Sequence, residues 1–173
     1  MTLQIEGLTK RFGAHTLFRG LELRVEGPAV LWAPSGWGKT TLLRILMGLE
    51  KPDAGAVTGV GRVAAVFQED RLCPQLTAVE NVLLVLPDGR ARRGGVEADF
   101  ARLGMTGDAL TLPAARLSGG QKRRAALLRA VWARADTRLF DEPFTGLDPA
   151  AMEQAAALLR ARCAGAPALL ATH

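Results

Sequence analysis

The stretch Ala29-Val30-Leu31-Trp32-Ala33-Pro34-Ser35-Gly36-Trp37-Gly38-Lys39-Thr40-Thr41-Leu42-Leu43 decides the fold. Its first four residues are apolar and follow Gly27-Pro28, the form of a buried strand. Its last residues open the run Leu42, Leu43, Ile45, Leu46, Met47 and Leu49, the apolar stripe of a helix packed within a layered α/β fold. Strand, glycine-rich turn, Lys-Thr and helix together make a phosphate-binding loop. Gly36 and Gly38 let successive backbone N–H groups converge on a polyphosphate, and the new helix points its positive end at the same place. Lys39 supplies a point charge for the outer phosphates, and the Thr40 hydroxyl is placed to ligate Mg²⁺. The full pattern asks for glycine where this chain has Ala33, so an ordinary strand–turn–helix is the competing reading of the loop alone. Trp37 is a second departure, a large indole among small residues.

Composition narrows the classes. With 173 residues, 49% hydrophobic and 23% charged, the chain is long enough for one domain with a real core and is not of disordered type. No run of eighteen apolar residues spans a membrane. Met1 to Lys10 alternates polar and apolar residues without the basic-then-apolar form of a secretory leader, so a cytoplasmic setting is expected. Cys73 and Cys163 lie too far apart for a metal or redox motif and read as reduced thiols. The net charge of +5 invites a nucleic-acid reading. However, aromatics make up 5% and Tyr is absent, leaving no stacking platform for bases, so no direct nucleic-acid partner is expected.

Periodicity places the remaining elements. Residues 2–6 read as a strand ended by Gly7, with a turn from Leu8 to Gly13 that contains Phe12. Separate strands follow over His15–Phe18 and at Leu21, Leu23 and Val25. Residues 69–116 read as a helical insertion, with Thr77 and Glu80 spaced as a capping box and Asp88–Gly95 as a polar loop before a helix from Val96. Leu117-Ser118-Gly119-Gly120-Gln121 leads into a helix, so Ser118 either caps it or opens a second anion site on its N–H groups. Leu139-Phe140 runs into Asp141-Glu142, carboxylates at the end of a strand where ligands of α/β sheets bind. Adjacent strand residues face opposite ways, so one of this pair could hold a metal while the other addresses a water; a solvated turn is the alternative. Asp148-Pro149 opens a further helix, Ala168–Ala171 reads as a last buried strand, and His173 follows it.

In this order, the loop at 33–40, Gln68, Leu117–Gln121, Asp141-Glu142, Asp148 and His173 resemble an ATP-binding cassette (ABC) transporter ATPase. The stretch Val66–Leu72 with Glu80-Asn81-Val82 looks most like the cassettes of bacterial small-solute importers of the nitrate, sulfonate, taurine and thiamine types. The resemblance implies an α/β P-loop NTPase core with an N-terminal antiparallel β subdomain (1–68 and 117–173) and an inserted helical subdomain (69–116). It implies ATP and Mg²⁺ as ligands. Phe12 would stack on adenine, and Ser35, Gly36, Trp37, Gly38, Lys39, Thr40 and Thr41 would hold the phosphates. Thr40, Gln68 and Asp141 would serve the metal, Glu142 would be the general base, and His173 would touch the γ-phosphate. Ser118, Gly119, Gly120, Gln121 and Asp148 would face the nucleotide of a second cassette. The implied partners are a second ATPase subunit, expected to be another copy of this chain, and transmembrane permease subunits, through which the chain would sit peripherally on the inner face of the cell membrane.

Two further expectations belong to this reading. Family cassettes continue past the switch histidine, whereas this sequence stops at His173, so the C-terminal part of the usual cassette is expected to be absent and turnover to be poor unless that end is held. The alternatives to a transport ATPase are a catalytically weak or structural nucleotide-binding protein and an ABC ATPase working away from membranes.

Overall fold

A computed structural model describes residues 2–173; Met1, where the leader reading begins, lies outside them. In chain order the first elements are β1 (Leu3–Phe12), β2 (His15–Val25), β3 (Pro28–Trp32), α1 (Lys39–Leu46), β4 (Ala54–Thr58) and β5 (Val63–Val66). Then come α2 (Ala78–Leu83), α3 (Gly89–Arg102), α4 (Asp108–Thr111), α5 (Gly119–Trp132), β6 (Thr137–Asp141), α6 (Pro149–Cys163) and β7 (Ala168–Thr172). The chain forms two compact units, the first made of residues up to Ala65, 135–142 and 163–173, the second of 66–134 and 143–162.

The first unit contains an antiparallel sheet in the order β2-β1-β4 and a sheet in the order β3-β7-β6-β5. β3, β7 and β6 run parallel. One core joins both sheets to α1: Leu3, Ile5 and Leu8 from β1, Phe18 and Val25 from β2, Leu42, Leu43, Ile45 and Leu46 from α1, with Leu139, Leu169 and Ala171 beneath. Fully burying side chains of this size stabilises by about 1.5–3 kcal/mol each, so the helix after the loop is held by packing rather than by its own short length.

The strand boundaries differ from the periodicity in a consistent way. β1 continues through Gly7 to Phe12, its register slipping between Ile5 and Leu8 where Gly7 takes φ 59°. β2 likewise runs unbroken through Gly20 at φ 63°. Glycine at a bulge bends a strand without ending it. Phe12 therefore sits at a strand end rather than within a turn.

The reading of Ala29–Trp32 as a buried strand is corrected. Among the described residues β3 lies at the edge of its sheet, and Val30 and Trp32 are 65% and 72% exposed. An apolar run has the same pattern whether its strand is central or at an edge; only the neighbours differ.

In the second unit, α2, α3 and α5 pack on one another around Val79, Val82, Val96, Phe100, Leu127 and Leu128, all buried. Thr77 and Glu80 form the capping box as expected. The polar loop expected over Asp88–Gly95 is instead the first half of α3. Gly95 explains the discrepancy: a Cβ there would lie 3.0 Å from Trp132 Cη2, so a helix-weakening residue is what lets α3 approach α5. Asp99, 1% exposed, accepts hydrogen bonds from Trp132 Nε1 at 3.0 Å and Arg162 Nη2 at 2.5 Å, joining α3, α5 and α6.

Candidate functional site

The first unit gathers a set of polar groups at the start of α1. Gly38 is the N-cap at φ 103°, and a Cβ there would lie 2.8 Å from both Leu17 and Phe18 side chains. Gly38 is thus required by backbone conformation and by space at once. Gly36 also takes a positive φ, 82°, with open space around it, so there the requirement is conformational alone. Ala33 is not among the residues of positive φ, and it is buried with its N–H donated to Thr172 O at 3.3 Å. The missing glycine therefore imposes no strain on the loop. Trp37 turns its ring onto Phe18, with centroids 5.2 Å apart, and packs against the core. Its bulk goes onto Phe18 of β2, which is the physical account of an indole in this position.

Lys39 is buried, and its Nζ donates to Ala33 O at 2.6 Å and Pro34 O at 3.2 Å. The ammonium lies 3.8 Å from Glu142 Oε1. Thr40 Oγ1 donates to Asp141 Oδ2 at 2.7 Å, a contact between residues 101 apart in sequence. Asp141 ends β6 and is 4% exposed. Glu142 follows at φ 47°, a left-handed conformation that costs a non-glycine residue about 1–3 kcal/mol. Its N–H donates to Ala171 O at 3.0 Å, and its carboxylate receives Thr172 Oγ1 at 3.4 Å and lies 2.9 Å from His173 Nδ1. The kink sends the two neighbouring carboxylates to different partners, Asp141 to Thr40, Glu142 to Lys39 and His173.

This donor set suits a magnesium–polyphosphate. Thr40 and Asp141 offer hard oxygen donors side by side, and no cluster of three His, Cys, Asp or Glu residues able to hold a metal occurs among the described residues. Mg²⁺ is commonly held by one or two protein oxygens with the remainder from phosphate and water, so a sparse protein contribution fits. The first-turn N–H groups of α1, which have no intrahelical partners, and the Lys39 ammonium meet the anion's needs. Phe12 is 50% exposed, with Lys10 Nζ 4.9 Å from its ring centroid; the same ammonium is tied to Glu50 Oε1 at 2.6 Å and Lys51 O at 2.8 Å.

Gln68, Ser118–Gln121 and Asp148 belong to the second unit. Ser118 Oγ accepts from Gln121 N at 3.2 Å, and Ser118 N donates to Gln121 Oε1 at 2.9 Å. Gln121 is thereby committed to the cap, leaving the N–H groups of Gly119 and Gly120 as the turn's remaining donors. A Cβ on Gly120 would lie 3.2 Å from Gly146 O, which ties this turn to the segment leading into Asp148. Asp148 Oδ1 accepts from Ala151 N at 2.9 Å and caps α6, with Pro149 at its first position.

Sequence reasoning passed over Arg123 and Arg129. Arg123 Nη1 donates to Phe67 O at 2.7 Å, Nη2 to Gln68 O, and Nε lies 3.2 Å from Asp70 Oδ1. Arg129 donates to Arg71 O at 2.8 Å and Asp70 O at 3.0 Å. Burial pushes the Asp70 carboxyl above its ordinary range, against the pull of Arg123, Lys122 and Arg129. In the sequence these arginines are indistinguishable from ordinary basic residues on a helix, since nothing local marks which carbonyls need donors.

Comparison with known proteins places these features. A family model described as ABC transporter matches residues 21–145. The aliphatic sulfonates import ATP-binding protein SsuB 1 of Nocardia farcinica is 45% identical over 150 residues, covering 86% of this chain and 61% of that protein. The Fe(3+) ions import ATP-binding protein FbpC 1 of Rhodococcus jostii is 39% identical over 166 residues, covering 84% of this chain and 47% of that protein. The chain thus spans about half to three fifths of the length of these relatives. The dimeric structure of MJ0796, described as a bacterial ABC transporter cassette, matches with TM-score 0.82 at 27% identity, over 99% of this chain and 88% of that one. A dimeric post-hydrolysis state of MJ0796 bound to ADP and Pi matches with the same TM-score, 0.82, at 25% identity.

Proposed function

This chain belongs to the ABC transporter family, and we propose that it binds Mg·ATP and hydrolyses it as the cytoplasmic ATPase subunit of a membrane importer. The observation that carries the reading is the meeting of Thr40 with Asp141 at 2.7 Å beside Lys39 and Glu142. A merely structural turn has no use for two carboxylates and a buried lysine at a helix N-terminus.

Each residue then has a task. Lys39 exchanges the Ala33 and Pro34 carbonyls for β- and γ-phosphate oxygens, so its desolvation is already complete before the ligand arrives. Thr40 and Asp141 hold Mg²⁺, which when bound offsets the negative charge of the phosphates. Glu142 accepts the proton of the attacking water as the water oxygen bonds to the γ-phosphorus and the P–O bond to the leaving ADP breaks. His173, 2.9 Å from the Glu142 carboxylate, holds it in line. Phe12 offers its exposed ring to adenine, and Gln68 serves the metal and the attacking water, as its motif position implies.

The second half of the site comes from a second copy, whose Ser118, Gly119 and Gly120 present N–H groups to the γ-phosphate and whose Asp148 segment lies beside them. Two ATP molecules then close a head-to-tail pair, and hydrolysis reopens it, which drives transmembrane permease subunits. The import direction is supported by the sulfonate and Fe(3+) import proteins to which the chain is similar. The solute itself is handled by the partners.

Glu142→Gln tests the assignment. The variant should bind ATP and run as a dimer on size exclusion with Mg·ATP, because closure survives while hydrolysis does not. A monomer under saturating Mg·ATP would sink the reading.

A further inference from the structure

The Gln68 loop is held from outside itself. Four of its carbonyls, those of Phe67, Gln68, Asp70 and Arg71, accept hydrogen bonds from the guanidinium groups of Arg123 and Arg129. The Asp70 carboxylate adds an ion pair to Arg123 Nε at 3.2 Å. Arg123 is 6% exposed, so its donors have been taken out of water and the loop carbonyls replace that hydration. Arg71 lies at φ 47°, and its guanidinium stacks over the Phe67 ring at 3.8 Å. The loop is therefore a bent segment lacking a ladder or helix of its own, with arginine forks satisfying its carbonyls.

Both arginines belong to α5, the helix that begins at the Ser118 capping box. The Gln68 side chain itself is exposed. Main chain fixed and side chain left open is an arrangement for a group that must be aimed.

We propose that Arg123 and Arg129 are positioning residues that fasten the Gln68 loop to α5, so that the Gln68 side chain and the Ser118–Gly120 turn move as one piece. A ligand arriving at the Ser118–Gly120 turn or at Gln68 would then alter the presentation of the other. The kinetic consequence rests on the ATPase reading above; the mechanical one does not.

The fork geometry selects the test. Lysine keeps the charge and the aliphatic stem but cannot hold two carbonyls in one plane. Arg123→Lys, Arg129→Lys and the double variant are compared with Arg90→Lys on the exposed side of α3, all in the full chain. Hydrogen–deuterium exchange should show amides of residues 68–72 opening about tenfold faster in the double variant, with α5 amides unchanged. ATP hydrolysis should lose about tenfold in kcat with KM for ATP within about twofold, and binding of a fluorescent ATP analogue should hold.

Unchanged exchange at 68–72 in the double variant overturns the proposal. So does faster exchange spreading through α5, since the arginines would then be supporting the helix rather than the loop. Should the parent chain prove unable to hydrolyse ATP, the functional reading fails, while the exchange result still decides the clamp.

Discussion

At Gly38 two demands coincide: φ is 103°, and the space of a Cβ is taken by Leu17 and Phe18 at 2.8 Å. Gly38→Ala should therefore destabilise by about 2 kcal/mol or more in urea denaturation and weaken nucleotide binding, because the loop must shift to make room. Ala33 is the opposite case. Its φ is not positive, so the backbone there does not call for glycine, and Ala33→Gly should leave nucleotide affinity unchanged and lower stability by about 0.4–1 kcal/mol through the freer unfolded chain. A gain in affinity for that variant would show that the missing glycine matters after all. These residues also mark how far single positions could be read. Glycine, lysine and threonine in one short turn name a phosphate loop because their backbone and donor chemistry is local. The direction taken by the Trp37 ring was illegible, since Phe18 meets it from a separate strand.

Among the elements, α2 gives a pH-dependent contribution of known sign. The backbone N–H of Thr77 donates to Glu80 at 2.8 Å, and this bond holds the Glu80 carboxyl below its ordinary value of 4.5. The unfolded chain then binds the proton more readily, so the cap's contribution is present above 4.5 and is lost as pH falls through the lower folded value. Thr77→Ala should cost about 1 kcal/mol at neutral pH and flatten stability below that range. Asp70 acts in the opposite sense: its folded pKa is raised by burial, so its contribution falls as pH rises above the ordinary 3.8. Asp99 sets a larger effect. Asp99→Ala leaves Arg162 and Trp132 Nε1 without their common acceptor and should cost about 3 kcal/mol, read by urea denaturation with Trp fluorescence. A cost below about 0.5 kcal/mol would mean water replaces the carboxylate freely. The capping box of Thr77 and Glu80 was legible, being a set of four consecutive residues, and Ser118 was legible as a cap, while the return bond from Gln121 emerged only in the structure. The start of α3 was not, because its glycines argue against a helix until Trp132 is seen filling the place of a side chain.

At the scale of the whole 173-residue chain, the outer side of β3 is open among the described residues. Val30 and Trp32 are exposed on an edge strand, the arrangement most prone to pair with another chain. Trp32→Lys should raise the concentration at which light scattering detects self-association, while the unfolding free energy stays within about 0.5 kcal/mol of the parent. Equal scattering from both proteins would remove the edge as its cause. No helix among the described residues is long and apolar enough to cross a membrane. The sequence by itself determined the α/β layout, the phosphate loop and the caps, since each depends on neighbours along the chain and on backbone rules that any fold obeys. Only the tertiary structure decided that β3 lies at an edge, that Thr40 meets Asp141 across 101 positions, and that arginines of α5 hold the Gln68 loop. Those facts turn on which groups remain to be shielded or hydrogen-bonded after distant segments pack, and that is settled by the whole chain at once.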